Sequence, residues 1–215
     1  MKKRILSLAL SAAMALTMLP TGAFAASDKG KPPVYNKATG CYEISTPDQL
    51  LYLSGSWRDG APRDGHYVLT ADIDMTGVKG FKPIASKKDQ GFTGTFDGQF
   101  HAIKGLRVEY EKKYAGLFGY VGNQDDQAYI KDVALLDCYV TGQQNVGALA
   151  GVNYGTITGC VVTGEVKCLD LSNSHTAGGI CGKLKEGEGP IVGHVEDCYI
   201  NADVSAPYDA GGVAG

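Results

Sequence analysis

The sequence predicts an all-β protein that folds as a three-sided β-solenoid with a short N-terminal capping helix. Glycine clusters recur along the second half of the chain at nearly constant steps. Short β-branched segments lie between the clusters, and the connectors that join these segments vary in length. A repeat with a period of about 30 residues is typical of stacked structural units. The clusters span residues 115–119, 146–151, 177–182 and 210–215.

The segments between the glycine clusters have the pattern of β-strands. One block covers residues 130–133, 157–160 and 195–198, and another is centred on Val140, Val166 and Val204. Each block alternates apolar and polar residues, which indicates a strand with one buried face. With the glycine cluster this makes three strands in each repeat, and therefore a three-sided coil. The connectors from each cluster to the next block differ in length, so we expect them to be loops.

Stacking of the repeats predicts two inward-facing columns, because a repeat of this size cannot bury its apolar face alone. We expect glycine at the corners of the coil, where the backbone needs a positive φ or a close approach that a Cβ would block. The expected columns are Val133, Cys160 and Cys198, and Leu149, Ile180 and Val213.

A helix is predicted near the start of the repeat region. Thr46 can cap it, Pro47 suits its first position, and Gln49 completes a capping box. Leu50, Leu51 and Leu53 form its apolar face. We expect this helix to cover the N-terminal end of the coil, where strand edges would otherwise be exposed. At the other end Gly215 closes a glycine cluster, so we expect these repeats to continue in a longer chain.

Residues 1–25 are predicted to be a signal peptide. Three basic residues precede an apolar segment over residues 5–19, and Ala23 and Ala25 suit cleavage after Ala25. The segment is too short for the roughly 18–20 residues that span a bilayer, and we expect no membrane insertion of the mature chain. We therefore expect an extracellular or cell-surface protein.

The charge of the mature chain argues against nucleic acid as a partner. Removal of residues 1–25 leaves 17 basic and 23 acidic residues, a net charge of −6. Such a chain lacks the excess of Lys and Arg that binds phosphate backbones or anionic lipids.

The glycine cluster Gly116-Leu117-Phe118-Gly119 and the segments before it resemble the GLUG-motif family of secreted and surface bacterial proteins. The resemblance covers residues 42–215 and implies a right-handed parallel β-helix on the cell surface or in a secreted multidomain protein. Some members stand beside a protease domain that cuts immunoglobulin A, but the matching protease residues are absent here. The segments that resemble the leader of these repeats are residues 69–75, 82–84, 92–98 and 103–106.

These observations divide the chain into four segments. They are the signal peptide at 1–25, a linker and first strand at 26–41, a leader and capping region at 42–110, and GLUG-type repeats at 111–215.

The six cysteines all follow the signal segment, and six allow 15 pairings. Cys160 and Cys198 occupy the position of Val133, so we favour apolar filler over a disulfide for these two. No Cys-x-x-Cys pair is present, which argues against a zinc or redox site. The other cysteines are Cys41, Cys138, Cys168 and Cys181.

Several partial motifs do not predict chemistry. Asp72 and Asp74 begin like a calcium loop, but Pro83 stands where the bidentate Glu belongs, and we expect both carboxylates to face water from a strand. Residues 178–184 have the wrong spacing for a phosphate loop. The histidines are scattered, and no serine lies in a nucleophile elbow. We therefore predict no catalytic, metal or cofactor site. The histidines are His66, His101, His175 and His194.

The strongest enzymatic candidate is the acidic pair Asp125 and Asp126, because β-helices also host polysaccharide lyases and hydrolases. These enzymes need carboxylates or a cation on one strand face. No second acidic cluster lies at repeat spacing, so a solvated loop is the favoured interpretation.

The sequence therefore predicts a non-catalytic scaffold, adhesin-like or ligand-presenting. A carbohydrate-active enzyme and a non-catalytic N-terminal region of a surface metalloprotease are the alternatives. Three variable loops, residues 123–129, 167–176 and 183–194, would bind a host or matrix glycan or protein. An equally open interpretation is a spacer whose loops contact nothing. The candidate loop residues are Asp125, Asp126, Tyr129, His175, Lys185 and His194.

Overall fold

The computed structural model describes residues 30–55, 61–170, 175–185 and 192–215. The predicted signal peptide, residues 1–25, lies outside the described residues. The central parts of two predicted loops, residues 171–174 and 186–191, lie outside them as well.

The described residues form an all-β structure with one α-helix, α1 (Pro47–Leu53), and a 3-10 helix at Lys88–Gln90. The all-β prediction is thus confirmed. The strands are β1 (Val34–Asn36), β2 (Cys41–Ile44), β3 (His66–Leu69), β4 (Ile73–Asp74), β5 (Thr95–Asp97), β6 (Ala102–Lys104), β7 (Arg107–Ala115), β8 (Phe118–Val121), β9 (Tyr129–Lys131), β10 (Ala134–Gly147), β11 (Ala150–Asn153), β12 (Thr156–Thr158), β13 (Val161–Cys168), β14 (Thr176–Gly178), β15 (Cys181–Leu184), β16 (His194–Glu196), β17 (Tyr199–Ser205) and β18 (Asp209–Gly211).

The strands pair into three sheets. The first sheet has the order β1-β2-β3-β5-β9-β12-β16. The second runs β17-β13-β10-β14-β18, with β6 and β7 also paired to β10 and β4 paired to β6. The third runs β15-β11-β8. The first two strands pair antiparallel, whereas the other pairs of described strands are parallel.

The chain visits the three sheets in a fixed order, and each passage pairs in register with the next. In the first sheet Ile157 lies between Ile130 and Val195. In the second sheet Val140 pairs with Val166, which pairs with Val204 one passage later. The repeated blocks of the sequence therefore become neighbours in space. We call one passage through the three sheets a turn.

One apolar core runs through the turns. The predicted column of Leu149 and Ile180 is buried, and the Leu149 amide donates to the Ile180 carbonyl at 3.0 Å. Val213 continues the column, because the Ile180 amide donates to its carbonyl at 2.9 Å, but its side chain is 43% exposed in the last turn. Since β7 crosses residue 110 and the core is continuous, the predicted leader and repeat segments share one core.

The glycine clusters are needed for close backbone approach rather than for a positive φ. A Cβ on Gly147 would lie 2.3 Å from the Ala150 carbonyl oxygen and 2.4 Å from the Cys181 Cα. A Cβ on Gly178 would lie 2.1 Å from the Cys181 carbonyl oxygen. All three distances are far below van der Waals contact. Of the two reasons that the sequence offers for these glycines, the structure selects the second.

A separate corner of each turn does use the left-handed region. Asp132, Gly159 and Asp197 have φ of 52°, 64° and 50° and precede the residues of the Val133 column. Asp tolerates this conformation better than most residues because its short side chain can hydrogen-bond locally.

The capping helix forms at the predicted residues. The Thr46 hydroxyl accepts from the Gln49 amide at 3.3 Å, and the Gln49 Oε1 accepts from the Ser45 amide at 2.8 Å, one residue earlier than in the usual capping box. The helix connects β2 of the first sheet to Gly55, which bridges to Ile84 beside the third sheet. It therefore takes the place that second-sheet strands have in later turns. Its leucines Leu50, Leu51 and Leu53 are buried in the core.

Candidate functional site

The loop between β8 and β9 is closed by one asparagine. Its carboxamide oxygen, Asn123 Oδ1, accepts from the backbone amides of Asp125 at 2.7 Å and Asp126 at 2.8 Å. The Asn123 amide donates to the Asp126 carbonyl at 2.9 Å, and its Nδ2 donates to the Asp126 carboxylate at 3.2 Å. A side chain that accepts hydrogen bonds from the backbone amides two and three residues later fixes this loop without help from neighbouring strands.

The loop at residues 123–126 forms one side of a surface cleft of about 280 Å³, which we call the loop cleft. Four separate parts of the chain build it, and the Arg63 guanidinium joins two of them by donating to the Asp89 carbonyl at 3.2 Å. The lining side chains are polar apart from one tyrosine ring. They belong to Arg63, Lys88, Asp89, Asn123, Gln124, Asp125, Asp126 and Tyr154.

The tyrosine of the loop cleft, Tyr154, is held by a small apolar cluster outside the main core. It packs with Tyr120 and Val152, and Tyr114 packs against the group. The Lys185 ammonium lies 5.9 Å from the centre of the Tyr154 ring, within cation–π range. Burial raises the pKa of Tyr154 above its ordinary value. Two of the three predicted variable loops therefore meet at this residue.

A second depression, which we call the sheet groove, has a volume of about 570 Å³ and lies beside the predicted loop at residues 167–176. Carboxylates of Glu109, Glu111 and Asp170 line it, and Leu169 beside them is 58% exposed. Arg107 donates to Glu109 at 2.9 Å and thereby lowers the pKa of that carboxyl. The remaining lining residues are Tyr110, Thr141, Gly142 and Gln143.

The structure corrects the bounds of the predicted loops, because the strands extend into them. Tyr129 and His194 are the first residues of β9 and β16, and both are exposed. His175 is buried instead of presented, and its Nε2 lies 3.6 Å from the Asp170 carboxylate. At the loop ends Lys167 belongs to β13, Thr176 to β14, and Lys183 to β15.

Part of the loop cleft was not predicted from the sequence. Asp125 and Asp126 lie together in it and are exposed, whereas Arg63, Lys88 and Asp89 were not among the candidates. The isolated bridges from Ile84 to Phe118 and from Phe92 to Val121 place the segment around residue 89 one turn below the loop at residues 123–126. Extending the repeat alignment back through residues 82–92 would have shown this.

The aspartates of the calcium-like motif have different environments. Asp74 is exposed, as expected, and its Oδ1 accepts from the Thr76 amide at 2.9 Å. The prediction that Asp72 also faces water is wrong, because its Oδ1 accepts from the Ala102 amide at 2.9 Å and lies 3.0 Å from His101 Nδ1. These contacts tie one turn to the next. Within the described ranges, no group of three or more His, Cys, Asp or Glu side chains is arranged to hold a metal ion.

Two sequence relatives match parts of the chain. The chain is 32% identical over 151 residues, 66% of its length, to Halomucin of Haloquadratum walsbyi, of which the match covers 2%. It is 33% identical over 101 residues, 43% of its length, to a protein of Evansella cellulosilytica described as a Gly-rich membrane protein, of which the match covers 11%. The chain thus spans a small part of both relatives.

Two further comparisons concern families and solved structures. No protein-family model matches the chain. A structure described as a candidate immunoglobulin A1 protease of Bacteroides ovatus aligns with 81% of this chain and 84% of that chain, at 16% identity and a TM-score of 0.40.

The part of the chain that the structure describes contains no helix with the length and apolar character that a membrane crossing requires.

Proposed function

We propose that this protein is a non-catalytic scaffold, secreted or attached to the cell surface, that presents the loop cleft to an extracellular glycan in the manner of an adhesin. In this proposal its three sheets, parallel apart from the pair β1–β2, are the faces of a right-handed β-helix. One observation carries the proposal. In-register pairing of the turns brings the loop at residues 123–126 to one cleft beside Tyr154 with Arg63, Lys88 and Asp89, which are far from it in sequence.

The surface location is supported by two independent facts. Residues 1–25 have the features of a signal peptide. The relatives that match the chain are described as Halomucin and as a Gly-rich membrane protein. Membership of the GLUG-motif family, proposed from the glycine clusters, agrees with the same location.

The loop cleft has the chemistry that sugar hydroxyls require. Its amide and carboxylate oxygens accept hydrogen bonds, and the Arg63, Lys88 and carboxamide N–H groups donate them. Its volume of about 280 Å³ is just below the roughly 300–1,000 Å³ of small-molecule sites. We therefore expect one or two sugar units in the cleft, with the rest of the glycan in solvent.

The assignment as non-catalytic rests on the position of the acidic pair. Asp125 and Asp126 are adjacent in one exposed loop, and the Asp126 carboxylate accepts a hydrogen bond from Asn123 Nδ2. A glycosidase places its two carboxyl groups on opposite sides of the scissile bond, about 5 to 9.5 Å apart. Two adjacent residues of one short loop are poorly arranged to place their carboxyl groups on opposite sides of a glycosidic bond.

An array experiment tests this function. The chain without residues 1–25 is applied to arrays of glycans and matrix proteins, and the double variant D125N/D126N is compared with D209N. Asp209 is an exposed aspartate of β18 that lines neither depression, so D209N controls for loss of charge. We expect glycan binding that falls at least tenfold in the double variant and is unchanged in D209N.

Three results would contradict the proposal. Equal glycan binding by the double variant would place the site elsewhere, and silence on all arrays would favour a spacer. Incubation with pectic and mucin-type glycans tests the remaining alternative. Release of sugar or of an unsaturated product, abolished by D125N, would make the protein an enzyme.

A further inference from the structure

Two cysteines occupy equivalent positions in the last two turns of the described chain. Each follows a corner residue in the left-handed region, Gly159 for Cys160 and Asp197 for Cys198. The Tyr199 amide donates to the Cys160 carbonyl at 2.9 Å. Because the turns are in register on both sides of this corner, the two cysteines are direct neighbours along the column that begins at Val133.

The two thiols also point the same way. Cys160 Sγ lies 3.3 Å from the carbonyl oxygen of Thr158, and Cys198 Sγ lies 3.2 Å from the carbonyl oxygen of Glu196. Thr158 and Glu196 are paired residues of β12 and β16. Cys198 Sγ lies in addition 3.9 Å from the Ile157 carbonyl, which belongs to the turn of Cys160. The Cys198 thiol is therefore directed towards the turn that contains Cys160.

We propose that Cys160 and Cys198 form a disulfide that covalently links the last two turns once the protein reaches an oxidising compartment. Neighbouring strands lie about 4.7–4.9 Å apart, within the roughly 4.4–6.8 Å between Cα atoms that a disulfide spans. The disulfide replaces the filler role expected from the sequence for these two cysteines, and its formation does not depend on the proposed ligand.

The oxidant is a disulfide, either a small-molecule disulfide or that of a thiol oxidoreductase. The Cys198 thiolate attacks one of its sulfurs, which forms a mixed disulfide and releases one thiol. The Cys160 thiolate then attacks the Cys198 sulfur, forms the internal bond and releases the second thiol. Two protein thiols are oxidised to one disulfide, and the oxidant is reduced to two thiols.

The surroundings of the two sulfurs support this order of steps. Cys198 is partly buried and Cys160 is fully buried, so an oxidant reaches Cys198 first. The Cys160 thiol lowers the pKa of Cys198 through a hydrogen bond, and the same interaction raises the pKa of Cys160. Burial raises the pKa of Cys138 and Cys181 to about 12, which makes both less reactive.

The disulfide would attach the turn of β16 and β17, whose residues have little buried surface, to the turn before it. Every residue of β16 and β17 is exposed or partly exposed in the described structure. A cross-link to the preceding turn limits its opening, since a disulfide restricts the unfolded chain more than the folded one.

Peptide mapping tests the link. The folded chain without residues 1–25 is incubated with oxidised glutathione, denatured in excess alkylating reagent and digested. We expect mass spectrometry to find a peptide pair that joins Cys160 to Cys198 and lacks two hydrogen atoms. The link should also raise the midpoint of thermal unfolding by on the order of 10 °C, and a reductant should reverse that shift.

Three variants complete the experiment. C160V and C198V should lose the linked pair and the thermal shift, and C160V should fold because Val133 fills the same column one turn earlier. C41S, at a cysteine in β2 far along the chain, should keep both. Circular dichroism checks that each variant is folded. Recovery of alkylated Cys160 and Cys198 from the oxidised, folded chain, or a link from Cys198 to Cys181, would overturn the proposal.

Discussion

Val140 and Val204 stand in one column of the second sheet, two turns apart, and differ in burial. Val140 lies in β10 between two paired strands and is fully buried, whereas Val204 lies in β17, which among the described strands is paired to β13 alone, and is partly exposed. The local sequence pattern is the same at both sites. The difference shows that a turn obtains its burial from the turns on either side, as expected for a repeat that cannot form a core alone.

The largest expected effect comes from the close approach of backbones inside a glycine cluster. Gly147→Ala places a Cβ within 2.4 Å of the Cys181 Cα and should lower the free energy of unfolding by about 3 kcal/mol. Gly212→Ala is the control, because a Cβ at Gly212 in the last turn meets no atom within 4 Å. Urea denaturation should show less than about 0.5 kcal/mol of change for the control. Equal costs for both variants would contradict the account.

Paired valine truncations measure the difference between inner and last turns directly. Val140→Ala removes two buried carbon atoms and should cost about 2 kcal/mol. Val204→Ala removes the same atoms from a partly exposed site and should cost less than about 1 kcal/mol. Chemical denaturation of both variants is the measurement. A larger cost at Val204 would show that the last turn is better packed than the structure indicates.

The early turns should lose stability at alkaline pH through Tyr67. Its ring is buried in the core, its hydroxyl donates to the Pro62 carbonyl at 2.7 Å, and burial raises its pKa well above the ordinary value. The unfolded chain releases this proton at about pH 10 and the folded chain only at higher pH. The unfolded state then binds fewer protons than the folded state, so stability falls as pH rises above about 10.

Tyr67→Phe provides the control for this titration. The variant loses the hydrogen bond to Pro62, which should cost about 1 kcal/mol at neutral pH. It also loses the ionisation, so its stability should fall less steeply above pH 10. Thermal unfolding of both proteins from pH 7 to 11 makes the comparison. Parallel curves would show that Tyr67 does not contribute to alkaline unfolding.

The smallest effect on stability is expected in the loop cleft. Asn123→Ala removes the side-chain hydrogen bonds that close the loop at residues 123–126, but it leaves the stacked strands intact. The unfolding free energy should change by less than about 1 kcal/mol. Cleavage by a protease at the loop should become faster, and glycan binding should weaken. An unchanged rate of cleavage would mean that contacts other than those of Asn123 hold the loop.

The stacked strands could be predicted from the sequence because their pattern is local and repeated. The valine blocks, the buried members Leu149, Ile180, Val133 and Cys160 of the two columns, and helix α1 lie where the sequence predicts them, whereas the side chain of Val213 is exposed. Each depends on a short period or on one capping residue. Stacking adds the same information in every turn, so one aligned cluster locates its neighbours.

The loop cleft could be predicted only in part, because it joins residues from different turns. Asp125 lies in a loop that the repeat marks as variable, but Arg63 and Asp89 precede the regular glycine clusters. Their position depends on the register of earlier, less regular turns. The burial of His175 could not be predicted for a related reason, since its neighbour Asp170 sits across a connector whose path no local pattern fixes.

The central claim, in-register stacking of successive turns, can be tested by one distance. Glu43 and Glu196 are far apart in sequence but lie on one line of the first sheet, with β3, β5, β9 and β12 between them. Five strand spacings predict a backbone separation of about 24 Å. Spin labels on non-natural amino acids at these two sites leave the native cysteines unlabelled. Pulsed electron resonance should give a narrow distribution near that distance, whereas a broad one, or one centred beyond about 40 Å, would contradict the stacking.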